Sequence, residues 1–131
     1  MRARKDQDVR LVVVGIGRWG KNHLGKAVEL VGEEGVGFFE QDEGRRRVTG
    51  ERFPRARVFS SWDEVLKSDW PALIISSPAA AHAVMTVEAL AAGKDVLVEK
   101  PLALDIAGAE LAVQEADARR AVLMVGNILL Y

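Results

Sequence analysis

Three glycines in the order Gly15-Ile16-Gly17-Arg18-Trp19-Gly20 directly follow the apolar run Leu11-Val12-Val13-Val14, and this junction limits the possible folds more than any other stretch. A short continuous apolar run reads as a strand buried on both faces, and Lys21 to Val31 reads as a helix. The chain therefore passes from strand to helix through a glycine-rich bend. Gly15 permits the tight turn, Gly17 lets a ligand approach the backbone with no Cβ in the way, and Gly20 lets the helix pack close to the sheet. The first N–H groups of that helix face outward with the positive end of the helix dipole behind them, a geometry suited to a pyrophosphate.

A second strand, Val36-Gly37-Phe38-Phe39, ends at Glu40, twenty residues beyond Gly20. A carboxylate there is placed to accept hydrogen bonds from both ribose hydroxyls of an adenosine. Strand, glycine turn, helix, strand and acid together describe a dinucleotide site, against an ordinary βα turn whose glycines serve chain reversal alone. Glu40 favours NAD, because it would repel a 2′-phosphate. Arg45, Arg46 and Arg47 keep NADP open, since a guanidinium such as that of Arg45 can pair a phosphate. The same arginine run also reads as a solvated helix face.

The remaining sequence continues the alternation. Asp42 to Phe53 is charged and only loosely helical, Arg57-Val58-Phe59 reads as a third strand, and Ser61-Trp62-Asp63-Glu64 has capping-box spacing before a helix to Lys67. Ala72 to Ser76 is a buried strand ended by Ser76-Ser77-Pro78. An Ala-rich helix from about Ala80 to Ala92 follows, capped by Gly93. Asp95 to Val98 is a fifth strand, Asp105 caps a helix to Arg119 or Arg120, and Ala121 to Val125 is a sixth strand. The expected fold is α/β, a doubly wound parallel sheet forming one dinucleotide-binding domain over residues 1–131.

Composition narrows the function classes. Eighteen basic and 19 acidic side chains leave a net charge of −1, so no global field favours nucleic acid or a membrane surface. The absence of cysteine removes disulfides and thiolate metal sites, and no metal site is expected. The polar segment Met1 to Arg10 and the short apolar run behind it do not make a signal sequence. A cytoplasmic chain is the expectation.

Glu99-Lys100-Pro101 stands at the carboxyl end of the fifth strand, where an open parallel sheet presents residues to bound cofactor and substrate. A lysine beside a nicotinamide can hydrogen-bond and polarise a hydroxyl or carbonyl undergoing hydride transfer. Pro101 biases Lys100 toward extended geometry. A solvated lysine closing a strand is the plain alternative.

The stretches Gly15 to His23, Ser77-Pro78 followed by His82, Ala91 to Leu102 and Leu123 to Gly126 together resemble the N-terminal half of the Gfo/Idh/MocA oxidoreductases. Trp19-Gly20-Lys21-Asn22 and Leu129-Leu130-Tyr131 resemble the branch acting on nucleotide-linked sugars such as UDP-N-acetylglucosamine. The resemblance implies NAD(P)-dependent hydride transfer on a sugar or polyol, with Lys100 as the active-site lysine. It implies Gly15, Ile16, Gly17, Arg18, Trp19 and Gly20 along the pyrophosphate and Glu40 at the ribose. It places Ser76, Ser77, Pro78, His82, Glu99 and Pro101 beside the nicotinamide half. His82 reads equally as a helix-surface histidine.

Members of that family carry a second α/β domain after the sixth strand, whereas this chain ends at Tyr131. The expectation is a domain that binds cofactor without turnover by itself, self-associating into a homo-oligomer through apolar surface near the sixth strand. Asn127 stands where the sugar-nucleotide branch has a histidine. Two other classes stay open: an S-adenosylmethionine-dependent methyltransferase, which also pairs a glycine turn with an acid, and a non-catalytic nucleotide-binding or redox-sensing module.

Overall fold

In a computed structural model of the chain, residues 9–127 are described. Leu129-Leu130-Tyr131, which contributed to the resemblance, lie outside them. Among the described residues, six strands form one parallel sheet: β1 (Leu11–Val14), β2 (Val36–Phe39), β3 (Arg57–Val58), β4 (Ala72–Ile75), β5 (Asp95–Glu99) and β6 (Leu123–Gly126). Their spatial order is β3-β2-β1-β4-β5-β6. The order reverses between β1 and β4, and a crevice at such a switch point holds ligands in open α/β sheets. Val14 is level with Phe39 on one side and Ile75 on the other, so the loops after β1, β2 and β4 open at one edge.

Among the described residues, five α-helices cover the two faces: α1 (Arg18–Val31), α2 (Glu43–Arg52), α3 (Trp62–Lys67), α4 (His82–Ala91) and α5 (Ile106–Arg119). Alternate residues of β1 enter opposite layers of core, as the two-residue period of a strand requires. Val12 and Val14 pack with Phe59, Leu73, Ile75 and Leu90 on one face, and Val13 packs with Ile16, Leu24 and Phe38 on the other. Among the described residues, no helix is long and apolar enough to cross a membrane.

Several local expectations shift in an instructive way. The first helix begins at Arg18 rather than Lys21, so the last glycine lies inside it. The charged stretch after Asp42 is a regular helix, because the Asp42 side chain accepts from the Arg45 amide at 2.7 Å and caps a segment that buries only Thr49. Ser61 caps the Glu64 amide at 3.0 Å. Glu64, however, reaches to the amide and hydroxyl of Ser60, both at 2.7 Å. Those two donors hold the Glu64 carboxyl below its usual range. Apolar side chains of β6 and α5 are exposed, Met124 and Ile106 among them.

Lys94 is 3% exposed, and its ammonium donates to the backbone carbonyls of Ser68 and Trp70, the latter at 2.8 Å. It ties the start of β5 to the loop entering β4, and burial pushes its amine below the usual range. Lys94→Met keeps the aliphatic length but leaves two carbonyls without a donor, which costs about 1–3 kcal/mol per unsatisfied group before the relief of burying no charge. The expected net loss is about 2 kcal/mol, read as a lower urea midpoint with an unchanged slope.

Candidate functional site

The glycine turn is built by three different constraints. Gly15 has φ +85°, and a Cβ there would lie 2.7 Å from the Ser77 backbone nitrogen, so the turn packs directly on the loop after β4. A Cβ on Gly20 would fall 1.8 Å from the Gly15 carbonyl oxygen, which seats α1 on the turn. At Gly17 a Cβ would meet nothing within 4 Å. Gly15 and Gly20 are required by the protein's own packing, whereas Gly17 leaves open space. Gly17 is the N-cap of α1, with no capping side chain and no acid in the first turn, so the leading amides of a fourteen-residue helix remain available to an anion.

This opening belongs to a cavity of about 500 Å³ lined by Gly15, Gly17, Phe39, Glu40, Gln41, Asp42, Arg45, Ser76, Ser77, Pro78, Ala81 and Met85. Seven of the residues expected from sequence therefore share one wall-to-wall space: Gly15, Gly17, Glu40, Arg45, Ser76, Ser77 and Pro78. Phe39, Gln41, Asp42, Ala81 and Met85 were not foreseen. Gln41 and Asp42 follow Glu40 directly and were findable by adjacency. The inward aim of Phe39 and Met85 has no signal apart from the fold.

Glu40 is 6% exposed, and its carboxylate is already engaged. Oε1 accepts from the Ile16 amide at 3.1 Å and from Arg45 Nη1 at 3.3 Å, and Oε2 accepts from the Asp42 amide at 2.8 Å. It therefore fastens the glycine turn to the end of β2 in addition to facing the cavity. A carboxylate has about four lone-pair sites, so one remains, whereas the sequence reading had it free to take both ribose hydroxyls. Arg46 Nη1 donates to the Glu40 backbone oxygen at 3.1 Å.

Other expected residues divide between exposed and internal. Arg18 and Trp19 are exposed at the start of α1, Trp19 by 46%. The Ile16 side chain is in the core, so only its backbone borders the turn. The Ser76 hydroxyl donates to the Gly15 carbonyl at 2.8 Å, and that of Ser77 donates to Met85 Sδ at 3.3 Å. Both serines shape the wall through bonds made within the protein. His82, expected against the cofactor or on the helix surface, is 2% exposed. Its ring nitrogens face the Pro101 and Ser77 carbonyl oxygens at 2.8 and 2.6 Å, which leaves no ring nitrogen for a ligand.

Lys100 is exposed just beyond β5 and makes no hydrogen bond or ion pair among the described residues. Glu99, before it, accepts from no lysine among the described residues; its Oε1 lies 2.6 Å from His23 Nε2. A free ammonium at the carboxyl edge, one strand removed from the glycine turn's neighbour β4, is positioned to meet a polar group of a ligand lying across the crevice.

Fold order, glycine turn and cavity define a dinucleotide-binding domain of the Rossmann type. The chain belongs to the Gfo/Idh/MocA oxidoreductases: the model of that family, described as "Oxidoreductase family, NAD-binding Rossmann fold", matches residues 9–127. An inositol 2-dehydrogenase of Leifsonia xyli subsp. xyli is 34% identical over 103 residues, 78% of this chain and 30% of that protein. Among solved structures, UDP-N-acetylglucosamine 3-dehydrogenase GnnA from Acidithiobacillus ferrooxidans superposes with a TM-score of 0.82 at 30% identity, covering 91% of this chain and 38% of that one. The WlbA dehydrogenase from Chromobacterium violaceum, in complex with NADH and UDP-GlcNAcA, gives a TM-score of 0.82 at 27% identity over 93% of this chain and 36% of that one. The chain spans about a third of the length of the curated relatives it matches. The methyltransferase alternative finds no support among these oxidoreductases.

Proposed function

We propose that this chain is the cofactor-binding part of an NAD(P)-dependent dehydrogenase acting on a hydroxyl of a sugar, polyol or nucleotide-linked sugar. One observation carries the proposal: at the uncapped start of α1, Gly17 alone of the three turn glycines faces open space. Its Cβ position is vacant where a pyrophosphate would rest, so the residues present fit a dinucleotide. The inositol and UDP-N-acetylglucosamine dehydrogenases named above support the substrate class.

A nicotinamide, when bound, supplies the carbon that accepts or donates hydride. This chain's residues do the rest. Gly15, Gly17 and the amides of Arg18, Trp19 and Gly20 hold the diphosphate through N–H groups and the helix dipole. Glu40 offers its remaining lone pair to the adenosine ribose, and Phe39, Ala81 and Met85 give the adenine an apolar wall. Lys100 hydrogen-bonds the substrate oxygen through Nζ, steadies the charge that develops there when a carbonyl accepts hydride and supplies the proton that completes the hydroxyl, and in the oxidising direction its amine takes that proton back. NAD is preferred over NADP because Glu40 stands beside the 2′ position, with Arg45 partly offsetting that charge.

Cytoplasmic residence and self-association through the exposed apolar residues of α5 and β6 belong to the same proposal. The expected result of titrating the chain with NADH is saturable quenching of tryptophan emission at submillimolar concentration, lost for the most part in Trp19→Phe. Absence of any uptake at millimolar NADH and NADPH would overturn the assignment.

A further inference from the structure

The chain has two histidines, and both are attached to the short segment that carries Lys100. His23 comes from the second turn of α1 and meets the Glu99 carboxylate at 2.6 Å. That carboxylate lies against β6 as well, since a Cβ on Gly126 would come within 3.1 Å of both its oxygens. On the other side, His82 from the first turn of α4 bridges the Pro101 carbonyl at 2.8 Å and the Ser77 carbonyl at 2.6 Å. The residues on either side of Lys100 are thus fastened to different helices.

Lys100 itself has no partner among the described residues. Nothing holds its ammonium, so its aim depends on the backbone of residues 99–101. That backbone is held by the pairing of β5 with β6 at Glu99, and the two imidazoles add a tie on each side of Lys100, His23 through the Glu99 side chain and His82 through the Pro101 carbonyl. The anchoring helices also matter. α1 carries Gly17 and the diphosphate amides at its start, and Ser77 belongs to the loop lining the cavity.

We infer that His23 and His82 are positioning residues that lock Lys100 to the two loops enclosing the dinucleotide, so that the reacting lysine and the cofactor cradle behave as one unit. This rests on the proposed dehydrogenase reading for the role of Lys100. Catalytic groups must be held to within about 0.5 Å of their productive placement, and a flexible lysine stem cannot supply that by itself. His23 is the more informative of the two, because it stands partly exposed and its bond to Glu99 contributes nothing to the glycine turn.

The test uses the whole chain and His23→Leu, His23→Gln and His82→Leu. Hydrogen exchange of the Val98 and Glu99 amides, which lie in the β5 ladder beside Lys100, is measured without cofactor. His23→Leu is expected to speed exchange there about tenfold, which corresponds to about 1.4 kcal/mol of local opening. His23→Gln, whose amide can still donate to Glu99, should restore most of the protection. The second readout is the 13C-dimethyl resonance of reductively methylated Lys100. It should shift on adding NADH in the parent chain and in His23→Gln, and respond weakly in both leucine variants at saturating NADH. Unchanged exchange in His23→Leu, or an undiminished Lys100 response in it, overturns the inference. If His82→Leu fails to fold, the His23 pair decides alone. If the parent chain takes up no NADH, the dehydrogenase reading fails, whereas the exchange comparison still decides whether the histidines fix the segment.

Discussion

Gly17→Ala is expected to weaken NADH binding at least tenfold while leaving the domain folded, and Gly20→Ala to destabilise the domain itself. The two substitutions add the same methyl three residues apart, and the difference lies in what the methyl meets. At Gly20 it would stand 1.8 Å from the Gly15 carbonyl oxygen, an overlap with backbone that no rotamer relieves. α1 must shift away from the turn, at a cost of about 3 kcal/mol. At Gly17 the methyl meets no protein atom within 4 Å, and φ is −82°, so an L-residue fits without backbone strain. The cost to folding is about 1 kcal/mol or less, the ordinary disadvantage of alanine at an N-cap. The cost to binding is larger, because the methyl keeps a diphosphate from the leading amides. Hydrogen bonds to charged groups contribute about 1.5–3 kcal/mol each, so losing one gives about tenfold or more in affinity. Urea denaturation and NADH titration of both variants separate the two effects. A Gly17→Ala chain that binds NADH as the parent does would mean that the open position is not where the diphosphate lies.

Much of the architecture could be read before any coordinates because its signals are local. The apolar runs of β1, β4 and β5, the caps Ser61 and Asp105, and Gly93 at the end of α4 with φ +82° each depend on nearest neighbours. α2 was harder to read. It buries almost nothing, so hydrophobic periodicity could not mark it beyond a loosely helical stretch, and the Asp42 side chain that caps it emerged only in the structure. The site shows the same division. The glycine spacing announced the strand-to-helix turn, since backbone geometry admits few residues at Gly15 and Gly20.

The engagement of the polar side chains was not legible. Whether Ser76 points at a ligand or at the Gly15 carbonyl depends on two loops separated by 61 residues meeting at the edge of the sheet. His82 illustrates the same point. Its position on α4 suggested either a ligand contact or a solvated ring, and the observed alternative, two backbone carbonyls from separate loops, exists only once β4 and β5 are paired. Residue type and spacing identified which groups gather at the carboxyl edge, while tertiary contacts decided which of them remain available to a ligand.

Glu40→Ala is expected to lower stability and reverse cofactor preference together, because this carboxylate has two roles. Removing it leaves the Ile16 and Asp42 amides without their acceptor, and the former is buried. An unsatisfied buried donor costs about 1–3 kcal/mol, so the urea midpoint should fall by an amount equivalent to about 2 kcal/mol. NADH affinity should fall as well, through the lost ribose contact and the loosened turn. The discriminating measurement is the ratio of NADPH to NADH affinity. Arg45, now without its carboxylate partner, can pair a 2′-phosphate that Glu40 no longer repels. One relieved like-charge contact together with one new charge-assisted bond should move the ratio toward NADPH by about tenfold or more. Loosening of the turn alone would weaken both dinucleotides in proportion and leave the ratio unchanged. A shifted ratio therefore assigns Glu40 to the adenosine ribose, whereas a constant ratio with lowered stability confines it to holding the glycine turn against β2.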